Sequence, residues 1–181
     1  GYYDHYCFLP LYVFCGRHLL ISYLRRSNSD PAHHTWAILS LLVKALRRQW
    51  PKVEIIFRGD SGFCRWKILR WCERHRVNYI VGLAKNTRVR AQAAQWINEA
   101  EAMYEQTGKK QRLFASITYA ALSWDKSRRV IVKAEHSRLG SNPRFVVTIP
   151  SDALFTCLLF LLFLFFNFSL KSFSLNPSLS I

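Results

Sequence analysis

Phe57-Arg58-Gly59-Asp60-Ser61-Gly62-Phe63 follows a short β-branched run, Val53–Phe57, and precedes an amphipathic segment, Cys64–His75. A buried strand that stops at a glycine-flanked Asp and gives way to a helix is the repeating step of an α/β fold. Ligands in such folds gather at the carboxyl ends of strands. The two glycines let the backbone turn sharply and approach a ligand closely. A lone carboxylate at this place is a common Mg²⁺ ligand, because Mg²⁺ takes one or two carboxylates and keeps water or phosphate oxygens. An ordinary turn Asp is the competing reading. The stretch is not a serine-hydrolase motif. Both the peptidase pattern and the nucleophile elbow need a glycine where Phe63 stands.

Downstream, Ile68, Leu69 and Cys72 fall on one face of the helix, with Arg65, Lys67, Arg70, Glu73 and Arg74 on the other. Tyr79–Leu83 then reads as a strand. Upstream, Trp36, Leu39, Val43, Leu46 and Trp50 form a stripe at helical spacing, with Asp30 as expected N-cap, Pro31 at the first position and Pro51 as the stop. Before it, Tyr6–Phe14 and Leu19–Leu24 read as a hairpin. Their near-continuous apolar character predicts a central sheet covered on both faces. Beyond Leu83, Val89, Ala93, Trp96, Ala100 and Met103 predict one helix closed by Gly108. The strands Leu113–Tyr119, Val130–Ala134 and Arg144–Thr148 follow. The layout is α/β with a β-rich addition.

The chain has 181 residues and a net charge of +15, which calls for a polyanionic partner, nucleic acid before an anionic membrane surface. Half of it is hydrophobic, enough to bury a core, so general disorder is excluded. Five Cys without a C-x-x-C pair exclude a disulfide-built scaffold, and the reducing cytoplasm is the expected location. Cys64, Cys72, His75, His33 and His34 lack zinc-ligand spacing. Five bases against one acid across Arg65–Arg76, interleaved with Trp66 and Trp71, exceed what solubility requires. Arg65, Lys67, Arg70, Arg74, Arg76, Lys85 and Arg88 are the expected DNA contacts, positioning the duplex through its phosphates.

The composition breaks after Pro150. Residues 151–181 hold one acid, one base and seven of the thirteen Phe, so the whole +15 lies in the first 150 residues. The apolar segment 153–168 would span about 24 Å as a helix, short of a hydrocarbon core of about 30 Å. A membrane anchor is thus the weaker expectation, and an out-of-frame stretch of pyrimidine-rich codons the stronger.

Four stretches together, Gly1–Gly16, Arg58-Gly-Asp-Ser-Gly-Phe-Cys-Arg-Trp66, Tyr79-Ile-Val-Gly-Leu-Ala-Lys-Asn86 and Val130-Ile-Val-Lys-Ala-Glu-His136, resemble the DDE transposases of bacterial insertion sequences. The subgroup is transposase DDE domain group 1, and the resemblance covers residues 1 to about 149. It implies a partial RNase H-like mixed sheet with flanking helices over residues 1–88. A helix plus β-rich insertion occupies 89–150, and a non-homologous tail 151–181. It also implies Mg²⁺-dependent DNA cleavage and strand transfer at transposon ends, with three acids holding two cations. The implied partner is double-stranded DNA, with a homodimer in the intact parent and no small-molecule substrate. Asp60 matches the second acid, as catalytic residue and metal ligand. Asp4 and Asp30 do not match the first, nor Glu99, Glu101, Glu105 or Glu135 the third. The expectation is an internal transposase fragment that is inactive as it stands. The alternatives are a non-catalytic basic DNA-binding protein and a membrane-anchored basic protein.

Overall fold

The computed structural model describes residues 8–149. The described chain divides into two compact units, one up to Tyr79 and one from Ile80.

In the first unit, β1 (Leu11–Cys15) and β2 (His18–Tyr23) form an antiparallel hairpin. Gly16 supplies the left-handed backbone of its turn. The hairpin is a two-stranded sheet of its own, which corrects the expectation of a sheet covered on both faces. Leu11 and Val13 are buried, but on β2 Leu19, Leu20 and Tyr23 are exposed. Apolar continuity reports a tendency to be covered, and the described residues leave β2 uncovered.

Helix α1 (Thr35–Gln49) starts four residues later than the Asp-Pro signal indicated. Asp30 instead closes a tight turn, accepting the Ala32 N–H at 2.7 Å, and Pro31–His34 form turns. His34, in the left-handed region, precedes the helix. Leu39 and Val43 are buried, whereas Trp36 and Trp50 at the ends of the predicted stripe are exposed. Arg25, itself buried, ties this entry loop together. Its guanidinium donates to the carbonyls of Leu9, Pro31 and His33 at 3.1, 2.6 and 3.2 Å.

Strand β3 (Ile56–Gly59) begins later than predicted and runs up to Asp60. A single 3₁₀ turn (Ser61–Phe63) leads into α2 (Trp66–Arg74), whose inward face is Ile68, Leu69 and Cys72, as its spacing predicts. Leu69 is fully buried, and side chains of this size contribute about 1.5–3 kcal/mol each when removed from water. Arg47 of α1 closes the end of α2, donating to the carbonyls of His75 (2.6 Å) and Arg76 (2.9 Å). These acceptors lie where a helix leaves its carbonyls unpaired.

Strand β4 (Asn78–Leu83) straddles the division between the units. In the second unit the predicted single helix is two: α3 (Thr87–Gln92) and α4 (Ala94–Thr107), broken at Ala93. Asn86 caps α3 by accepting the Val89 N–H at 2.9 Å. The buried line is Val89, Ala93, Ile97 and Ala100, so Ile97 takes the place predicted for Trp96, and Met103 is exposed. Gly108 ends α4 in the left-handed conformation expected of a helix stop. Then come β5 (Gln111–Tyr119), β6 (Arg128–Ser137), β7 (Gly140–Ser141) and β8 (Arg144–Thr148). The six-stranded sheet has the order β3-β4-β8-β6-β5, with β7 beside β6. Strand β6, the longest, is an interior member that pairs with β8 on one side and β5 on the other. Val130, Val132 and Ala134 on one of its faces are buried with Ala100 and Ile97 of α4. The fold class is mixed α/β, as the sequence indicated.

Candidate functional site

Asp60 ends β3, and its side chain is exposed. Its Oδ1 accepts the Gly62 N–H at 2.8 Å, which caps the 3₁₀ turn and fixes the carboxylate. Both neighbouring glycines are required by space rather than by backbone sign. A Cβ on Gly59 would lie 3.1 Å from the Phe63 Cβ, and one on Gly62 would lie 2.9 Å from Asp60 Oδ1 and 3.3 Å from Pro31. The turn is therefore built around Phe63, which is buried, and around the Asp60 carboxylate.

Beside it, Arg65 makes a forked contact with Asp30. Its Nη2 lies 3.1 Å from Oδ1 and 3.2 Å from Oδ2, and its Nε lies 3.3 Å from Oδ2. The Ala32 N–H and then the Arg65 guanidinium, acting against partial desolvation, hold the Asp30 carboxyl below its ordinary value. Both side chains are about half exposed (43% and 52%), so the pair is worth little, roughly 0–1 kcal/mol.

On the next turn of α2, Lys67 and Arg70 sit over the Trp66 ring at 5.8 and 6.0 Å from its centroid. Trp71 stacks on His75 with centroids 4.3 Å apart and planes 18° from parallel. Arg74 and Arg76 are exposed at the end of the helix, and Arg76 has a positive φ. Cationic heads placed on aromatic rings and kept at the surface suit phosphate contact. Cys72, one of the conceivable metal ligands, is fully buried, and burial pushes its thiol up to about 12. It packs as a small hydrophobe.

The family model for transposase DDE domain group 1 matches residues 1–155. The chain belongs to this family. No curated protein matches it.

The chain thus places Arg65, Lys67, Arg70, Arg74 and Arg76 on or around one helix next to Asp60, while Lys85 and Arg88 lie in the second unit. Lys85 donates to Asn142 Oδ1 at 2.9 Å, and Arg88 is exposed on α3. The family generally binds DNA and uses a divalent metal. Among the described residues no group of three or more His, Cys, Asp or Glu side chains could hold a metal ion. Asp60 offers one fixed, exposed carboxylate, and Asp30 is engaged with Arg65. The described residues therefore do not make up a two-metal centre. Among them, also, no helix is long and apolar enough to cross a membrane. The apolar segment 153–168 lies outside the described residues.

One charged group escaped the sequence reading. In the second unit, Lys110 Nζ lies 3.1 Å from Glu135 Oε1, while Arg112 Nε and Lys133 Nζ each lie 2.8 Å from its Oε2. Burial would raise the Glu135 carboxyl, but hydrogen bonds from Lys133, Lys110 and Arg112 outweigh it and bring it down to about 2. The available signal was the pair Lys133 and Glu135, opposite charges two residues apart and so on one face of the strand, next to the apolar run Val130–Val132.

Proposed function

We propose that this chain handles DNA for transposition. Its family activity is Mg²⁺-dependent cleavage and strand transfer at the ends of an insertion sequence, carried out in the cytoplasm by a homodimer that brings two transposon ends together. The observation that carries the reading is Asp60. It is a fixed and exposed carboxylate at the carboxyl end of β3, beside a helix whose outer face is basic and aromatic.

In this reading Asp60 is the second acid of the triad, and Lys67, Arg70, Arg74 and Arg76 hold phosphates without reading base sequence. Arg65 is committed in part to Asp30 and serves chiefly to fasten the entry loop of α1 to the start of α2. Lys85 and Arg88 add contacts in the second unit. A polypeptide of these 181 residues, with one matched acid, binds duplex DNA without cutting it.

The test is a supercoiled plasmid incubated with the purified chain and Mg²⁺. The expected result is a retarded, intact plasmid. Metal-dependent nicking that disappears in Asp60→Ala would overturn the inactivity and keep the assignment of Asp60. Absence of binding would overturn the DNA reading itself.

A further inference from the structure

The outer face of the β1–β2 hairpin is apolar and bare. Leu11 and Val13 turn inward and are buried. Tyr12 and Phe14 alternate with them on the other face, their ring centroids 6.3 Å apart. Ser22 is the cross-strand partner of Tyr12, so Leu20 and Leu24, two residues to either side of it, share that face. The register slips by one between Val13 and Phe14, which leaves Leu20 as an extra residue on β2 and Leu19 opposite Phe14. Tyr12, Leu19, Leu20 and Leu24 are all exposed, Leu19 at 52% and Leu24 at 60%. Among the described residues β2 pairs only with β1, so it is also an edge strand. Single exposed leucines are ordinary, but a contiguous apolar patch beside a strand edge marks a place where another segment packs.

Charge narrows what fits the patch. None of Tyr12, Phe14, Leu19, Leu20, Ser22 and Leu24 is charged, so the face offers nothing to a phosphate. A second copy would bring another net charge of +15 against the first, with no ionic contact on this face to offset it. The chain itself carries a neutral occupant. In Leu154–Phe166 eleven of the thirteen residues are Leu or Phe and none is charged, so the run is driven out of water as the hairpin face is. Its midpoint, Phe160, lies twelve residues past Thr148 at the end of β8 and can extend up to about 40 Å from it. Attachment to the same chain gives the run an effective concentration above that of a free partner. The family match ends at residue 155, so nearly all of the run lies past it, and the contact belongs to this chain rather than to its family.

We infer that Leu154–Phe166 packs on the outer face of the β1–β2 hairpin, against Tyr12, Leu19, Leu20 and Leu24, as an intramolecular cover. The cover closes the patch to aggregation through its strand edge and to lipid. The inference goes beyond the DNA reading and does not rest on it.

The experiment places the photo-cross-linker p-benzoylphenylalanine in place of Phe160 in the full 181-residue chain. Irradiation and peptide mapping by mass spectrometry should give cross-links within the monomer to residues 12–24. Leu19→Asp/Leu24→Asp, at two exposed positions, should lose them while circular dichroism shows the fold kept. If that double variant unfolds, Leu24→Asp alone should weaken them. Leu41→Asp, at an exposed leucine of α1, should keep them. Cross-links to another part of the chain, or none, overturn the inference. Cross-links between two chains do the same, because a second copy is then the cover. So does their retention in a folded Leu19→Asp/Leu24→Asp, or an equal loss in Leu41→Asp. Loss of the hairpin cross-links on adding phosphatidylcholine vesicles, with the chain floating alongside them, assigns the run to lipid and also overturns it.

Discussion

The two cationic regions of this chain carry similar charge in opposite settings. Around α2 the basic residues lie within twelve positions of sequence, with Lys67, Arg74 and Arg76 exposed and Arg65 and Arg70 partly so. Their partners are an aromatic ring or an acid at the surface. On β5 and β6 they are scattered from residue 110 to 133 and gathered on one buried carboxylate. The difference lies in solvent. Water screens the α2 charges, so removing one acid there changes little. Glu135 and Lys133 are mostly out of water, so this pair depends on its charge neighbours, while Lys110 and Arg112 reach it from the surface.

That contrast can be broken most sharply at the two acids. Glu135→Gln leaves Lys133 buried without its counter-charge and should cost about 3–5 kcal/mol, read as a lower urea midpoint. Asp30→Asn, which breaks the exposed Arg65 pair, should cost no more than about 1 kcal/mol. Equal losses would mean that the two regions do not differ in solvation.

A second test follows from titration. The Glu135 carboxyl is held at about 2 in the folded chain, below its ordinary 4.5. A depressed carboxyl contributes stability that is present above its unfolded value and is lost as pH falls through the folded one. Stability should therefore drop between about pH 4.5 and pH 2, and much of that drop should vanish in Glu135→Gln. The matching comparison with Asp30→Asn should remove little of the acid-induced loss.

Smaller effects sharpen the picture of the turns. Asn86→Ala removes the cap of α3 and should cost about 1 kcal/mol in a thermal or urea melt. Gly62→Ala should displace the Asp60 carboxylate rather than unfold the chain, because the new Cβ would meet Asp60 Oδ1 at 2.9 Å. An Asp60 side-chain carboxyl resonance that does not move in this variant would contradict the turn geometry.

What the sequence made legible is local. The Gly-Asp-Ser-Gly punctuation announced the end of β3, and three-to-four spacing identified the buried face of α2 residue by residue. Three features were not legible, each for a physical reason. Asp30 and Pro31 form a convincing helix start, but Asp30 is held by Ala32 and Arg65, and the helix begins at Thr35. The apolar run of β2 reads as buried on both sides, because sequence records a tendency to be covered and not the cover. The Glu135 group depends on a partner 23 residues away, brought opposite by the register of β5 on β6. Its lysines and arginines were visible as charge, while the carboxylate that organises them looked like one more surface acid.

The salt dependence of duplex binding by the unmodified chain tests this account most directly. The expected result is a straight fall of log affinity with log salt, at a slope of about −5 or steeper, corresponding to roughly five or more phosphate contacts. The slope should be the same on two duplexes of unrelated sequence, since phosphate contacts carry no base information. Affinity that is independent of salt, or no measurable binding at low salt, would contradict it.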